Sequence, residues 1–435
     1  MSLYFDYNAT TPLDQSVLNV INNALENAWG NPSSSSSAGQ LAKAVIQDAR
    51  EKVAEMINAN SSDDIIFTSG GTESNNLVFH TVLHDYSLSD ASVLPHVIIS
   101  AIEHPATIFP LEHLAAANRC TLTLLPILTT GDVDPEEVRR QLRPETVLVS
   151  VMLANNETGV VNDLKRIVEV VKEWQNEKVD GENISKEARK RRIFVHTDAA
   201  QAIGKIEVDV QELGVDYLTV VGHKFYGPRI GALYVCHPGT DTPVHPMFFG
   251  GGQERGFRPG TENTGMIAGL GEASRLVTTR LPVLTAHYSR LISYFESQIR
   301  SLAPSGFGAV IHGEGAPRIS NTCNVSVVCL ADDRGTIEDG SGTTEGAVSA
   351  TTLVNRLLAK GVTVGKGAAC HTGVDGPSAT LLAMQISPAV ARSAIRFSVG
   401  RETTVEDVER VATMIWDTVF EILNDAGAGA GAEIE

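Results

Sequence analysis

Between about residue 16 and residue 235, short apolar runs alternate with longer mixed segments, and this alternation restricts the fold more than any other feature. The runs are Ile65–Thr68, Val97–Ser100, Thr121–Leu125, Val147–Met152, Ile193–Thr197, Leu218–Val221 and Ala232–Val235. Each has the length of a buried strand. Segments between them, such as Ala38–Ile57 and Leu164–Trp174, carry apolar residues at helical spacing. Strand–helix alternation predicts an α/β unit with a mostly parallel sheet. Ligands of such sheets sit outside the carboxyl ends of the strands. The residues just after each run are therefore where chemistry is expected.

The chain has 435 residues, enough for more than one domain. A long helical stretch, Gly265–Ile299, is expected to lead into a second region over about 300–425, with short strands near Cys323–Cys329 and Ile395–Val399. Asn176–Arg192 is charged and Ala331–Ser349 is rich in Gly, Thr, Ser and acids, so both read as inserted surface loops. The Ala-Gly tail from Asp425 is expected to be disordered.

Thirty-four basic against 52 acidic side chains leave a net charge of −18, which would repel nucleic acid and anionic membrane surfaces. No apolar run is long enough to span a bilayer. The first residues carry neither a basic nor an apolar leader pattern, so a cytoplasmic location is expected. Five cysteines without CxxC spacing suggest neither a disulfide framework nor a zinc site, and no metal is expected.

Several post-strand segments can carry chemistry. Thr68–Asn76 holds Gly70, Gly71 and Thr72 between a strand and a helical run. It reads either as a phosphate cradle at a helix N-terminus or as an ordinary β–α turn. Asp198 follows a strand among apolar neighbours, either as a cap or as the carboxylate that holds a protonated pyridine nitrogen. Lys224, in Val220–Pro228, sits between two apolar strands, where a desolvated amine can form a Schiff base. Its neighbour His223 would donate to a phosphate or be structural. His104, read as the end of a strand, would stack on a flat ring or lie hydrogen-bonded at a rim. Asn155–Gly159 places an amide near the same end of the sheet or forms a plain turn. Gly250–Asn263, with Arg255, Arg258 and Thr261, has the character of an anion-binding loop. Arg396, inside an apolar strand, needs an anion, either a substrate carboxylate or a structural partner. Cys370 is flanked by glycine and small residues, with Lys366 and His371 close in sequence to lower its thiol pKa.

The order of these segments is more specific than any one of them. With Asp6–Pro12, Gly30–Ser34 and Arg396–Arg401, it resembles the class V aminotransferase superfamily, in particular its cysteine desulfurase and selenocysteine lyase group, over residues 4–425. The resemblance implies a type I pyridoxal-phosphate fold. A large domain over 16–270 would carry the mostly parallel sheet. A smaller α/β domain would be formed by 1–15 and 271–425, with 426–435 as a disordered tail. The cofactor would be pyridoxal 5'-phosphate, bound covalently by Lys224, with Asp198 on its ring nitrogen and His104 stacked on the ring. Asn156 and Gln201 would bond the ring hydroxyl. Gly71, Thr72 and His223 would hold the phosphate, with Thr261 reaching in from the second subunit of a homodimer. Arg396 and Asn31 would contact the amino-acid substrate, and Cys370 would handle the chalcogen.

The resemblance further implies conversion of L-selenocysteine to L-alanine and reduced selenium. The alternative is a cysteine desulfurase passing persulfide sulfur from Cys370 to an acceptor protein. Gly222–Leu233 and Gly250–Asn263 look like the lyase versions of these motifs. Val221 stands where many desulfurases have a phosphate-binding Ser, and Ser36 where many carry a His.

Overall fold

A computed structural model describes residues 2–89, 93–180, 192–330, 348–367 and 376–430. All seven predicted runs are strands of one sheet. They are β2 (Ile65–Thr68), β3 (His96–Ser100), β4 (Thr121–Leu125), β5 (Thr146–Ser150), β6 (Phe194–Asp198), β7 (Tyr217–Val221) and β8 (Gly231–Val235), in the order β2-β8-β7-β6-β5-β3-β4. The five strands from β4 to β7 are parallel, and β8 runs antiparallel between β7 and β2.

Every residue of β3, β5, β6, β7 and β8 is buried, which is why the runs are continuously apolar rather than alternating. The period-2 pleat still sorts them. Ile98, Val149, Val195 and Leu218 face one core, while Val97, Ile99, Leu148, Phe194 and Tyr217 face the other.

The segments with helical spacing are helices: α2 (Ser37–Met56), α3 (Gly71–Ser89) and α6 (Leu164–Asp180). Between and before them lie α1 (Gln15–Asn27), α4 (Pro105–Ala116) and α5 (Pro135–Gln141), which the sequence reading did not single out. Ser36 caps α2 by accepting from Gly39 N–H. Helix α6 runs through Asp180, so the start of the expected loop at 176 is helical, and 181–191 lie outside the described residues. Most of the second expected insertion, 331–347, lies outside them too.

A second sheet has the order β1-β11-β12-β10-β9, built from β1 (Leu3–Phe5), β9 (Phe307–His312), β10 (Thr322–Cys329), β11 (Val362–Lys366) and β12 (Ala394–Ser398). Here β1 pairs parallel with β11, so the first residues of the chain join its last third. The helix Thr264–Ser301 serves both sheets. Ile267, Leu270 and Leu276 pack into the core of the first, and Leu291, Phe295 and Ile299 into that of the second.

The tail departs from expectation. The helix Val405–Ala430 extends over 425–430, with 431–435 outside the described residues. Val408, Val411, Ile415, Trp416 and Val419 dock this helix in the second core. Once nucleated there, it propagates through alanines of high helix propensity despite the glycines between them.

Burial leaves a pH signature. Desolvation pushes His196 and His312 down to about 4, and His96 likewise, with Arg143 adding to the effect. Between about pH 6.5 and 4, the unfolded chain therefore binds more protons than the folded one, and stability falls as pH falls through that window. Thermal melting from neutral to acid pH is expected to show this loss. A flat profile over that range would contradict the buried neutral imidazoles.

Candidate active site

The carboxyl ends of the parallel strands open on a cavity of about 210 Å³. Its lining includes Gly71, Thr72, His104, Asn156, Asp198, Gln201, His223 and Lys224. One-dimensional order thus becomes one wall, because each of these residues lies at a strand's end, in a turn or at a helix start on the same side of the sheet.

Thr68 ends β2, and Gly71 opens α3. The first amides of a helix have no intrahelical acceptor, and its dipole favours an anion there. A Cβ added at Gly71 would lie 2.7 Å from Val221 Cγ2, so only glycine fits between the helix start and β7. Val221, in the place of a hydroxyl donor, lines the cavity with a methyl surface.

His104 does not end a strand. It is the N-cap of α4, and its Nδ1 accepts the Ala106 N–H at 3.1 Å. Pro105 explains the shift, because a proline has its φ preset for the first helical position, where no N–H is needed. With Nδ1 accepting, the ring proton of neutral His104 sits on Nε2. Burial lowers its pKa, with Asp198 opposing and Lys224 adding to the shift.

Asp198 ends β6 and is held at both oxygens. Oδ1 accepts Ala200 N–H at 3.0 Å, and Oδ2 accepts Asn75 Nδ2 at 3.0 Å. Behind it, Asn75 Oδ1 accepts from Thr219 Oγ1 at 2.7 Å, and that hydroxyl lies 3.1 Å from His196 Nε2. Asn75 was not singled out from sequence. Its signal is a fully buried amide one turn inside an otherwise apolar helix face.

Lys224 follows β7 in the short turn Gly222–Lys224. Its Nζ donates to Asn8 O at 2.7 Å and Ala9 O at 2.9 Å. Gln201 Nε2 donates to the same Asn8 carbonyl at 3.0 Å. Lys205, also unforeseen, is fully buried and donates to Gln201 Oε1 at 3.4 Å, which turns the Gln201 amide. Burial, with Lys224 and Arg396 nearby, pushes Lys205 down to about 7. His223 Nδ1 pairs with Thr10 Oγ1 at 3.1 Å. Burial and the charges of Lys224, Arg229 and Lys205 lower His223 to about 4.

A second cavity of about 380 Å³ adjoins the first and shares His104, Asn156, Gln201 and Lys224 with it. It adds Glu103, Glu157, Phe109, Thr380 and Arg396 to the wall. Arg396 has an internal anion. Its Nη2 pairs with Asp6 Oδ1 at 2.7 Å, and Nη1 donates to Asn156 O at 2.8 Å. Its Nε is buried without a hydrogen-bond partner among the described residues.

Other expected residues fall elsewhere. Asn31 is exposed, accepts Ser33 N–H at 3.0 Å in its own turn and lines neither cavity. Thr261 is exposed and lines neither cavity of its own chain. The anion-binding reading of Gly250–Asn263 is corrected for its arginines. Arg258 is paired with Glu73 at 2.8 Å, and Arg255 donates to the carbonyls of Asp63 and Ile65. These guanidiniums tie the loop to β2 and α3. Cys370 and His371 lie outside the described residues. Among the described residues no group of three or more His, Cys, Asp or Glu is placed to hold a metal ion, and no helix is long and apolar enough to cross a membrane.

The donor set of the first cavity suits a phosphorylated pyridine aldehyde. A helix start and His223 are present for the phosphate, a fixed carboxylate for a ring N–H, amides for a phenolic oxygen and an amine for the aldehyde carbon.

Comparison with known proteins points the same way. The family model described as "Aminotransferase class-V" matches residues 3–179 and 178–411. The chain is 45% identical to "Selenocysteine lyase" of Bos taurus, with 98% of this chain and 94% of that protein covered. It is 35% identical to "Cysteine desulfurase IscS" of Dictyoglomus turgidum, with 93% and 91% covered. Among solved structures, a "NIFS-LIKE PROTEIN" superposes with a TM-score of 0.80 at 30% identity, covering 98% of this chain and all of that one.

Proposed function

The chain belongs to the aminotransferase class-V family, and on that premise we propose that it is a pyridoxal-phosphate-dependent selenocysteine lyase, releasing L-alanine and reduced selenium from L-selenocysteine. The observation that carries this reading is the convergence of the Lys224 amine and the Asp198 carboxylate on one cavity that opens into a second, larger one walled by Arg396. The higher identity to selenocysteine lyases than to cysteine desulfurases favours selenium over sulfur.

Pyridoxal phosphate, when bound, supplies an electron sink conjugated to the substrate α-carbon. The residues do the rest. Asp198, oriented by Asn75 and Ala200 N–H, would hold the ring nitrogen's positive charge. His104 would pack on the ring. Gly71, Thr72 and His223 would bind the phosphate, and Asn156 and Gln201 would bond the ring oxygen. Arg396 uses N–H groups beyond those given to Asp6 and Asn156 to orient the substrate carboxylate. Lys224 would move the proton at the substrate α-carbon. Cys370 handles the released chalcogen.

In this reading the protein works in the cytoplasm as a homodimer. Phe249 leaves 90% and Trp29 75% of its surface exposed, apolar area that a second copy would bury. In such a dimer Thr261 would reach the partner's phosphate. We also read 16–270 as the cofactor domain, and 1–15 with 271–425 as the smaller one.

The test is alanine release from L-selenocysteine and L-cysteine, side by side. Strong release from selenocysteine with little from cysteine is expected. Equal or greater release from cysteine would instead make the protein a cysteine desulfurase with a sulfur-acceptor partner.

A further inference from the structure

Asn8 lies a short way past β1 and is fully buried. Three of its polar groups are held from the second sheet and its rim. Its N–H donates to Ser398 Oγ at 3.1 Å, its Nδ2 donates to Thr322 Oγ1 at 2.8 Å, and its Oδ1 accepts Asn321 Nδ2 at 3.1 Å. Thr322 opens β10, Ser398 ends β12, and the two stand opposite each other in the ladder. Thr322 gives its own hydroxyl proton to Asn321 Oδ1 at 3.0 Å, so toward Asn8 it acts as the acceptor.

The fourth polar group of Asn8 is its carbonyl. It accepts Lys224 Nζ at 2.7 Å and Gln201 Nε2 at 3.0 Å. The Ala9 carbonyl is a second acceptor for Nζ at 2.9 Å, and the Ala9 N–H is tied back to Asp6 O at 2.9 Å. Lys224 thus comes from the turn after β7, while the oxygen that receives its amine is set from β10 and β12. Arg396 and Ser398 lie two residues apart on β12, on one face of the strand. The strand that carries the guanidinium therefore also fixes the resting place of the amine. A buried network whose members are all satisfied holds its atoms in one arrangement.

We propose that Asn8 is a positioning residue for Lys224: clamped by Asn321, Thr322 and Ser398, it fixes the carbonyl that places the Lys224 amine for attachment to the cofactor aldehyde and for proton movement at the substrate α-carbon. This rests on the reading of Lys224 as the amine that holds pyridoxal phosphate. Asn8 acts through Lys224 and not on the reactants. Attachment forms a C=N bond between Nζ and the aldehyde carbon and releases the aldehyde oxygen as water. A nitrogen displaced by ~1 Å can slow such a step by about 10²-fold.

The experiment uses the full chain as wild type, Asn8→Ala, Thr322→Val and Thr322→Ser. Each protein is stripped of cofactor and mixed with pyridoxal phosphate, and the fraction fixed by borohydride is followed with time. In parallel, the Kd of pyridoxine 5'-phosphate is measured. This analogue has an alcohol in place of the aldehyde, so it fills the cavity without bonding Lys224. In Asn8→Ala, attachment is expected to slow at least about tenfold, within the range of a small misplacement. The analogue's Kd should be unchanged, because Gln201 keeps its tie to Lys205. Thr322→Val removes the acceptor of Asn8 Nδ2 at nearly constant shape and should slow attachment in the same way. Thr322→Ser keeps the hydroxyl and should attach as wild type does. In turnover, kcat of Asn8→Ala should fall with KM for the amino acid little changed, because Arg396 keeps Asp6 and Asn156.

Melting curves check that each variant is folded. If Asn8→Ala fails that check, the two Thr322 variants decide. A folded Asn8→Ala that attaches pyridoxal phosphate at the wild-type rate overturns the proposal. Equal weakening of attachment and of analogue binding also overturns it, since that marks a general loss of the cavity. So does a Thr322→Ser variant as slow as Thr322→Val, or a Thr322→Val variant as fast as wild type. A wild type that takes up no borohydride-fixable pyridoxal phosphate overturns the reading of Lys224 itself. That result differs from normal attachment that ignores Asn8.

Discussion

Lys224→Ala is expected to lower turnover by roughly 10³–10⁴-fold or more, the scale of losing a positioned proton-transfer group together with a covalent anchor. The fold should survive, because Lys224 is only partly buried and its Nζ donates to the backbone carbonyls of Asn8 and Ala9, which stay in place. Lys205, the next amine, cannot readily substitute. It is buried, donates to Gln201 and the Lys224 carbonyl, and is absent from the lining of both cavities. Borohydride should fix the cofactor covalently to wild type and not to the variant. A variant that retains turnover with a normal melting curve would remove Lys224 from its assigned role, whatever the substrate.

Arg50→Met is expected to destabilise the protein by about 3–5 kcal/mol, the range for breaking one partner out of a buried ion pair. Arg50 on α2 and Glu254 in the loop after β8 meet through two contacts of 2.5 and 2.8 Å, with side chains only 6% and 2% exposed. Glu254 also accepts Phe67 N–H at 2.9 Å, and Arg50 donates to Ile65 O at 2.7 Å. The pair thus fastens the glycine-rich loop to β2. Glu254 and Arg255 adopt φ values of 48° and 60°, a left-handed conformation that costs non-glycine residues energy and persists where surrounding contacts impose it. With Arg50 gone, Glu254 keeps one amide donor and loses its hydrogen-bonded counter-charge. Arg50→Met combined with Glu254→Leu should recover most of the loss, because neither charge is then stranded. Denaturant unfolding of both singles and the double gives the coupling. Simple additivity would show that the pair does not act as a unit.

Much of the molecule was legible in one dimension, for local reasons. A strand buried on both faces is mostly apolar, so β2, β3, β5, β7 and β8 announce themselves. A loop that must approach a helix start needs glycine, and Gly71 is there. Asp198 and Lys224 are conspicuous because charges at the ends of apolar strands need a purpose. The same local logic misplaced His104 by assigning it to a strand. The chain's own cue was Pro105, whose fixed φ starts a helix and makes His104 its cap.

Pairing was a different matter. A lone arginine in an apolar strand signals that an anion is needed, but not which one. The structure supplies Asp6 to Arg396, 390 residues away in the chain, and Glu73 to Arg258. The anchoring carbonyl of Asn8 is equally silent, since a backbone oxygen has no sequence signature. Glu103 reads as part of a motif, and only its surroundings show one oxygen saturated and the other without a partner among the described residues.

Periodicity and turn chemistry therefore determined the strands, the parallel sheet and the edge at which the site lies, because those properties depend on each residue's own geometry and hydrophobicity. Closure of the first strand onto the last third of the chain, the choice of ion-pair partners and the protonation of buried groups were decided by tertiary structure. They depend on which distant segments exclude water from one another, and a linear pattern holds no record of that.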